Sequence, residues 1–147
     1  GVVEAGGSGT RMGGVRKQYL DLLGEPVLLR AIRPFLAHPG VGQVVVVLPP
    51  EDLDDPPNWL SHLQLVLAAG GAERGDSVRN GLDQLTQEAE LVLIHDGARP
   101  FVSAELIDRV IAGAARGGAI AALPATDTLK EVNDAGCIVR TLPRARI

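Results

Sequence analysis

Aromatic residues are scarce in this sequence: two Phe, one Trp and one Tyr make up 3% of 147 residues. That scarcity excludes a core built on stacked rings. It leaves Val, Leu, Ile and Ala to fill the interior, a composition suited to parallel strands covered by helices. Hydrophobic residues still reach 46%, and a chain of this length can bury about 68–70% of its unfolded surface, enough for one domain with its own core. Cysteine is nearly absent. Cys137 stands alone, so no intramolecular disulfide can form, which fits a reducing compartment. Long apolar runs are lacking too. The longest, VVVVLPP, falls far short of the roughly 20 residues that span a bilayer, so no membrane partner is expected. The N-terminus has no basic stretch leading into an apolar one, so no signal peptide is expected and a cytoplasmic location is. Nor is there an excess of base. A formal net charge of −4 excludes wholesale nucleic-acid binding, which requires a basic face, while leaving local cations free to bind small phosphates. Internal repeats, low-complexity segments and linkers are not seen.

What is present alternates. Residues 1–5 read as the end of a first strand, followed by a glycine-rich loop. PVLLRAIRPFLAHP spaces Val27, Leu28, Ala31, Ile32, Phe35 and Leu36 as on a helix, with Pro26 at its start, Pro39 beyond its end and Pro34 a possible kink. QVVVVLP at 43–49 reads as a strand buried on both faces. The stretch 51–62 reads as a loop or short helix, and 63–71 as a strand running into a second glycine turn. DSVRNGLDQL reads as a helix with Asp76 or Ser77 near its N-cap. A further buried strand is expected in LVLIHDGARP, ending on a polar tip. A helix then starts at the N-cap Ser103 and closes near Gly117. AIAALPATDTLKEV reads as a strand leading into irregular chain, and NDAG as a hairpin turn inside a protruding arm. Strands alternating with helices imply β-α-β units and a mostly parallel sheet, with ligands outside the carboxyl ends of its strands. The glycine loop, AAGGAER, HDGARP and PATDTLK all follow expected strands, so all four are expected at one edge.

The loop in EAGGSGTRMGGVRKQYL can turn backbone N–H groups towards phosphate oxygens. It is no P-loop, because no Gly-Lys-Ser/Thr ends it. Gly7 and Gly9 form a G-x-G pair, but Arg11 stands where the dinucleotide fingerprint needs its third glycine, so a nicotinamide cofactor is disfavoured. An ordinary glycine-rich turn is the plain alternative. Arg11 and Lys17 are the cations best suited to phosphoryl or nucleotidyl transfer, which needs fixed positive charge where negative charge accumulates; otherwise both are solvated loop residues. Asp96, at a strand end before Gly97, suits Mg²⁺, which takes one or two carboxylates plus phosphates and water; otherwise it caps a turn. His95, with no second His or Cys near it, reads as structural. Arg99 could reach an anionic substrate or pair with a nearby acid. Ser77 and the Gly70–Gly71 backbone could read a base edge, or mark only a turn and a helix start. Thr128, Lys130 and Arg144 flank the arm, as a second anion site or as plain surface.

In order, AGGSGTRM, KQYL, GGAERGDSVRNGL, HDGARP and ATDTLKEV resemble the 2-C-methyl-D-erythritol 4-phosphate cytidylyltransferase family of the non-mevalonate isoprenoid pathway. The first two fit nucleotidyltransferases broadly; GGAERGDSVRNGL with HDGARP is much more specific. The resemblance covers nearly the whole chain. It implies an α/β, Rossmann-like three-layer α/β/α domain over residues 1–147, with a mostly parallel sheet and a β-arm at about 126–143 that interlocks a homodimer. It implies a reaction joining CTP to methylerythritol phosphate with Mg²⁺, releasing pyrophosphate. By motif, Arg11 and Lys17 would be catalytic. Ala5, Gly6, Gly7, Ser8 and Gly9 would bind the nucleotide, with Gly71 and Ser77 on the cytosine. Arg99, Thr128 and Arg144 would hold the methylerythritol phosphate, and Asp96 the metal. The chain departs from the pattern at Glu4, where a small residue is expected, at Arg16, where the family often has Pro, and at Ala72, where it often has Asp. The family's final third, with a further substrate Lys and a closing helix, is expected to lie outside this chain. Other nucleotidyltransferases, such as ribitol-5-phosphate or sugar-phosphate types, and a non-catalytic nucleotide-binding module are the alternatives.

Overall fold

The valine-rich run at 43–49 becomes the centre of the fold. A computed structural model describes residues 1–6 and 16–146. Its strands β1 (Val2–Glu4), β2 (Val45–Leu48), β3 (Val66–Ala69) and β4 (Ile94–Asp96) form one sheet in the order β3-β2-β1-β4. Every neighbouring pair is parallel. All of β2 is buried, because its residues alternate between two covered faces. Val46 and Leu48 join Val3, Leu28, Ile32 and Phe35 in one cluster, while Val45 and Val47 join Val2 and Ala68 in the other. With a layer on each side, a period of two makes the whole strand apolar.

Helix α1 (Val27–Ala37) supplies the first face. Helix α2 (Arg74–Leu82) covers the second, its Gly81 lying against Val2 and Val47. Helix α3 (Ala104–Ala114) packs on the α1 side through Ile107. The result is three layers, α/β/α. Pro26 sits at the N-cap of α1, and the helix runs through Pro34. The Ser103 hydroxyl accepts the Leu106 N–H and caps α3 as expected. The hairpin β5 (Lys130–Val132) and β6 (Ile138–Thr141) is antiparallel and separate from the main sheet. Asn133 builds its turn, its side-chain oxygen accepting the N–H groups of Ala135 and Cys137.

Three expectations are corrected. Helix α2 begins earlier than Asp76 or Ser77: Glu73 is its N-cap, and Asp76 completes a capping box from the third helical position. Helix α3 ends at Ala114 with Ala115 as C-cap, and Gly117 lies two residues further on with a positive φ. The run AIAAL forms no strand, and Ile120 and Leu123 are 87% and 90% exposed. An apolar run alone does not make a strand. It needs a laddered neighbour, and β4, at the sheet edge, pairs only with β1 among the described residues. PATDTLK therefore does not follow a strand, whereas the other three loops follow β1, β3 and β4.

Candidate active site

The loops after β1 and β3 meet across the end of β2, which lies between them. The Ala5 N–H bonds the Val47 carbonyl, and the Gly70 N–H bonds the Leu48 carbonyl. Gly6 and Gly70 then pass so closely that a Cβ on Gly6 would lie 3.1 Å from the Gly70 Cα. Gly71 is tighter still: a Cβ there would lie 2.3 Å from that of Asp76. These glycines serve close approach rather than flexibility. Ser77, buried at the start of α2, accepts the Gly71 N–H at 3.0 Å and donates to the Glu73 carbonyl at 3.2 Å. Its hydroxyl thus holds the turn together. Gly6, Gly71, Ser77, Glu4 and Arg74 line a cavity of 360 Å³.

Glu4 and Asp96 are register neighbours at the ends of β1 and β4. The Asp96 carboxylate is gripped from both sides, by Arg74 Nη2 at 2.7 Å and Arg99 Nε at 2.8 Å. The Arg74 hydrogen bond, ahead of the other charges, holds Asp96 below its ordinary range. Glu4 behaves oppositely. Burial pushes its carboxyl up, although its Oε1 accepts the Gly6 N–H at 2.9 Å. Among the described residues no three His, Cys, Asp or Glu side chains gather as a metal cage. A site with one or two carboxylates fits Mg²⁺ shared with substrate phosphates, and does not fit an ion held by protein alone.

The described chain resumes at Arg16. Lys17, in the 3-10 turn Lys17–Tyr19, is exposed. Its neighbours are tied down. Arg16 Nη1 reaches both Asp52 oxygens at 2.6 Å, and its Nη2 reaches Glu51 at 2.5 Å. The Tyr19 hydroxyl donates to Asp52 at 2.6 Å, and Gln18 Nε2 donates to the Ala5 carbonyl at 2.9 Å. Burial, then the Asp52 bond, pushes the Tyr19 phenol well up.

A sequence model of 2-C-methyl-D-erythritol 4-phosphate cytidylyltransferase matches residues 1–147. The chain belongs to this family. It is 48% identical to the bifunctional enzyme IspD/IspF of Solidesulfovibrio magneticus, over 97% of this chain and 39% of that one. It is 44% identical to the 2-C-methyl-D-erythritol 4-phosphate cytidylyltransferase of Syntrophus aciditrophicus, over 99% of this chain and 65% of that one. The crystal structure of 4-diphosphocytidyl-2C-methyl-D-erythritol synthase from Anaerococcus prevotii superposes with a TM-score of 0.84 at 29% identity, covering 99% of this chain and 63% of that one. The Thermus thermophilus cytidylyltransferase superposes at 0.73 with 33% identity, covering 100% and 64%. The chain therefore spans less than two thirds of the length of each of these relatives.

Within this cytidylyltransferase frame the expected residues divide. Ala5, Gly6, Gly71, Ser77, Asp96 and Arg99 come together at the carboxyl ends of β1, β3 and β4, and Lys17 follows on the chain anchored beside them. Thr128 and Arg144 lie exposed at the base of the arm, where Arg144 Nη1 donates to the Thr126 carbonyl at 2.5 Å. Arg11, Gly7, Ser8 and Gly9 lie outside the described residues. His95 is structural, as read: its ring packs 5.0 Å from that of Phe35, and its Nε2 bonds the Arg99 carbonyl. Sequence reasoning missed Arg74 and the Arg16–Asp52–Tyr19 cluster. The one available signal for Arg74 was its place in GGAERGDS, a motif already chosen for its glycines and serine.

Proposed function

We propose that this chain is the nucleotidyl-transferring part of a cytidylyltransferase. A phosphate oxygen of 2-C-methyl-D-erythritol 4-phosphate attacks the α-phosphorus of CTP. The bond from the α-phosphorus to the bridging oxygen breaks, giving 4-diphosphocytidyl-2-C-methyl-D-erythritol and pyrophosphate for isoprenoid precursor synthesis. One observation carries this reading: the chain at the ends of β1, β2 and β3 lines one cavity, bordered by Gly6, Gly71, Ser77 and Arg74, and Arg74 reaches from its lining to the Asp96 carboxylate, which Arg99 also holds. The nucleophile is already anionic, so the barrier is charge repulsion and positioning rather than proton transfer.

In this reading Ala5, Gly6, Gly7, Ser8 and Gly9 bind the nucleotide, and Gly71 and Ser77 border the cytosine. Arg11 and Lys17 offset charge on the triphosphate as it builds. Arg99, Thr128 and Arg144 hold the acceptor phosphate. Asp96 holds Mg²⁺ jointly with the phosphates, and the ion when bound neutralises phosphate charge. A homodimer joined through the arm and a cytoplasmic location complete the proposal. The test is pyrophosphate release with CTP and methylerythritol phosphate, set against other nucleoside triphosphates and against ribitol 5-phosphate. Release with this pair alone is the expected result. Tight CTP binding with no release for any acceptor would overturn it.

A further inference from the structure

Lys17 sits on a three-residue 3-10 turn that cannot fix its own direction. Such turns have poor hydrogen-bond geometry and persist only in short pieces held by their surroundings. This one has no side-chain cap. Side-chain contacts hold it, among them the Arg16–Glu51 pair and three that reach Asp52 or β1, of which two end on one carboxylate. Both Asp52 oxygens accept from Nη1 of Arg16, the residue before Lys17, and one of them also accepts from the Tyr19 hydroxyl, two residues after it. The Asp52 side chain is only 17% exposed, so these bonds are partly sheltered from solvent. The third contact, Gln18 to the Ala5 carbonyl, ties the same turn to the end of β1. Asp52 itself is fixed on the 3-10 turn Pro50–Asp52 that follows β2, and Pro50 and Glu51 of that turn line the cavity.

We propose that Asp52 is a positioning residue: through Arg16 and Tyr19 it fixes the backbone on both sides of Lys17 and so aims the Lys17 ammonium at the cavity. This rests on the role given to Lys17 under the proposed function. A planar guanidinium suits this positioning, because with Nη1 on Asp52 and Nη2 on Glu51 its plane is fixed as well as a distance.

The test is a double-mutant cycle on pyrophosphate release in the intact protein, with folding checked by thermal melting. Asp52→Ala is expected to lower kcat about tenfold or more, the scale on which small misplacement acts, while KM for CTP moves less than about threefold. Asp52→Glu, which keeps the charge, should recover part of the loss. In a Lys17→Ala background, Asp52→Ala should cost less than about twofold, since nothing remains to be aimed. If Asp52→Ala does not fold, Tyr19→Phe and Arg16→Gln each remove one anchor and run the same cycle. Losses that multiply in the double variant, or an unchanged kcat in the anchor variants, overturn the proposal for Asp52. Near-normal turnover in Lys17→Ala alone overturns the role of Lys17 instead, so the two failures are separable.

Discussion

The Lys17 side chain makes no hydrogen bond or ion pair among the described residues, while its neighbours on both sides are anchored. A cation so placed is free to meet charge that exists only during transfer, and such a group raises kcat rather than affinity. Lys17→Ala should therefore lower kcat by a hundredfold or more, about 3–4 kcal/mol, with little change in CTP affinity by equilibrium titration. Glu4 poses the opposite problem, an acid in a cavity proposed for a triphosphate. Its Oε1 accepts the Gly6 N–H, a bond that an amide oxygen can also accept. Glu4→Gln should keep that turn, remove one negative charge and tighten CTP binding by about fivefold, roughly 1 kcal/mol at high effective dielectric. The pH dependence has a definite sign. Burial raises the folded Glu4 pKa above its ordinary 4.5, so the folded state binds the proton more tightly than the unfolded state does. The native state is then relatively best supported below 4.5 and loses support as pH rises through the folded value. In urea melts the stability gained by Glu4→Gln should be larger at pH 8 than near that ordinary value. A gain that does not change with pH would assign the effect to packing.

At the scale of elements, α2 is set on the sheet by a missing side chain. A Cβ on Gly81 would stand 2.6 Å from Val2 Cγ1 and 2.9 Å from Val47 Cγ2, whereas one on Gly75 of the same helix would meet nothing within 4 Å. Helix propensity favours alanine at an interior position by about 1 kcal/mol, but overpacking costs about 1–3 kcal/mol. Gly81→Ala should thus lower the urea midpoint and Gly75→Ala should leave it unchanged or raise it; equal shifts would mean that α2 is free to slide. Such contacts mark the boundary of what sequence can tell. The two-faced burial of β2, the Ser103 cap and the 133–136 turn were legible because each is decided by residues a few positions apart. The loops after β1, β3 and β4 were legible as a site because parallel order brings strand ends together. The Arg74–Asp96 and Arg16–Asp52 pairs were not, since they join positions 22 and 36 residues apart and carry no local pattern. AIAAL misled for a related reason: a short apolar run is compatible with a buried strand, but no strand among the described residues ladders with it.

Over the whole molecule, apolar side chains remain on the outside along one region of chain. Phe101, Ile120 and Leu123 are almost fully exposed, and Val132, Ile138 and Val139 on the arm are each more than half exposed. A two-stranded ribbon gains little stability alone in water. This ribbon carries an exposed apolar patch, formed by the cross-strand partners Val132 and Ile138 with Val139 beside them where the register shifts. The Glu131–Arg140 ion pair across it is exposed and adds little. A second copy of the chain, as in the proposed homodimer, would bury this patch. Thr128 and Arg144 lie at the arm's base, so that contact should also bear on the acceptor site more than on the nucleotide site. The double variant Ile138→Asp, Val139→Asp should shift the mass measured by light scattering from dimer to monomer and raise KM for methylerythritol phosphate about tenfold, with KM for CTP changing less than about threefold. Each buried apolar side chain of this size contributes about 1.5–3 kcal/mol, and each would be lost in both copies, so the dimer should not survive at micromolar concentration. A variant that stays dimeric would place the interface away from the arm. A monomer with unchanged acceptor KM would separate assembly from the acceptor site.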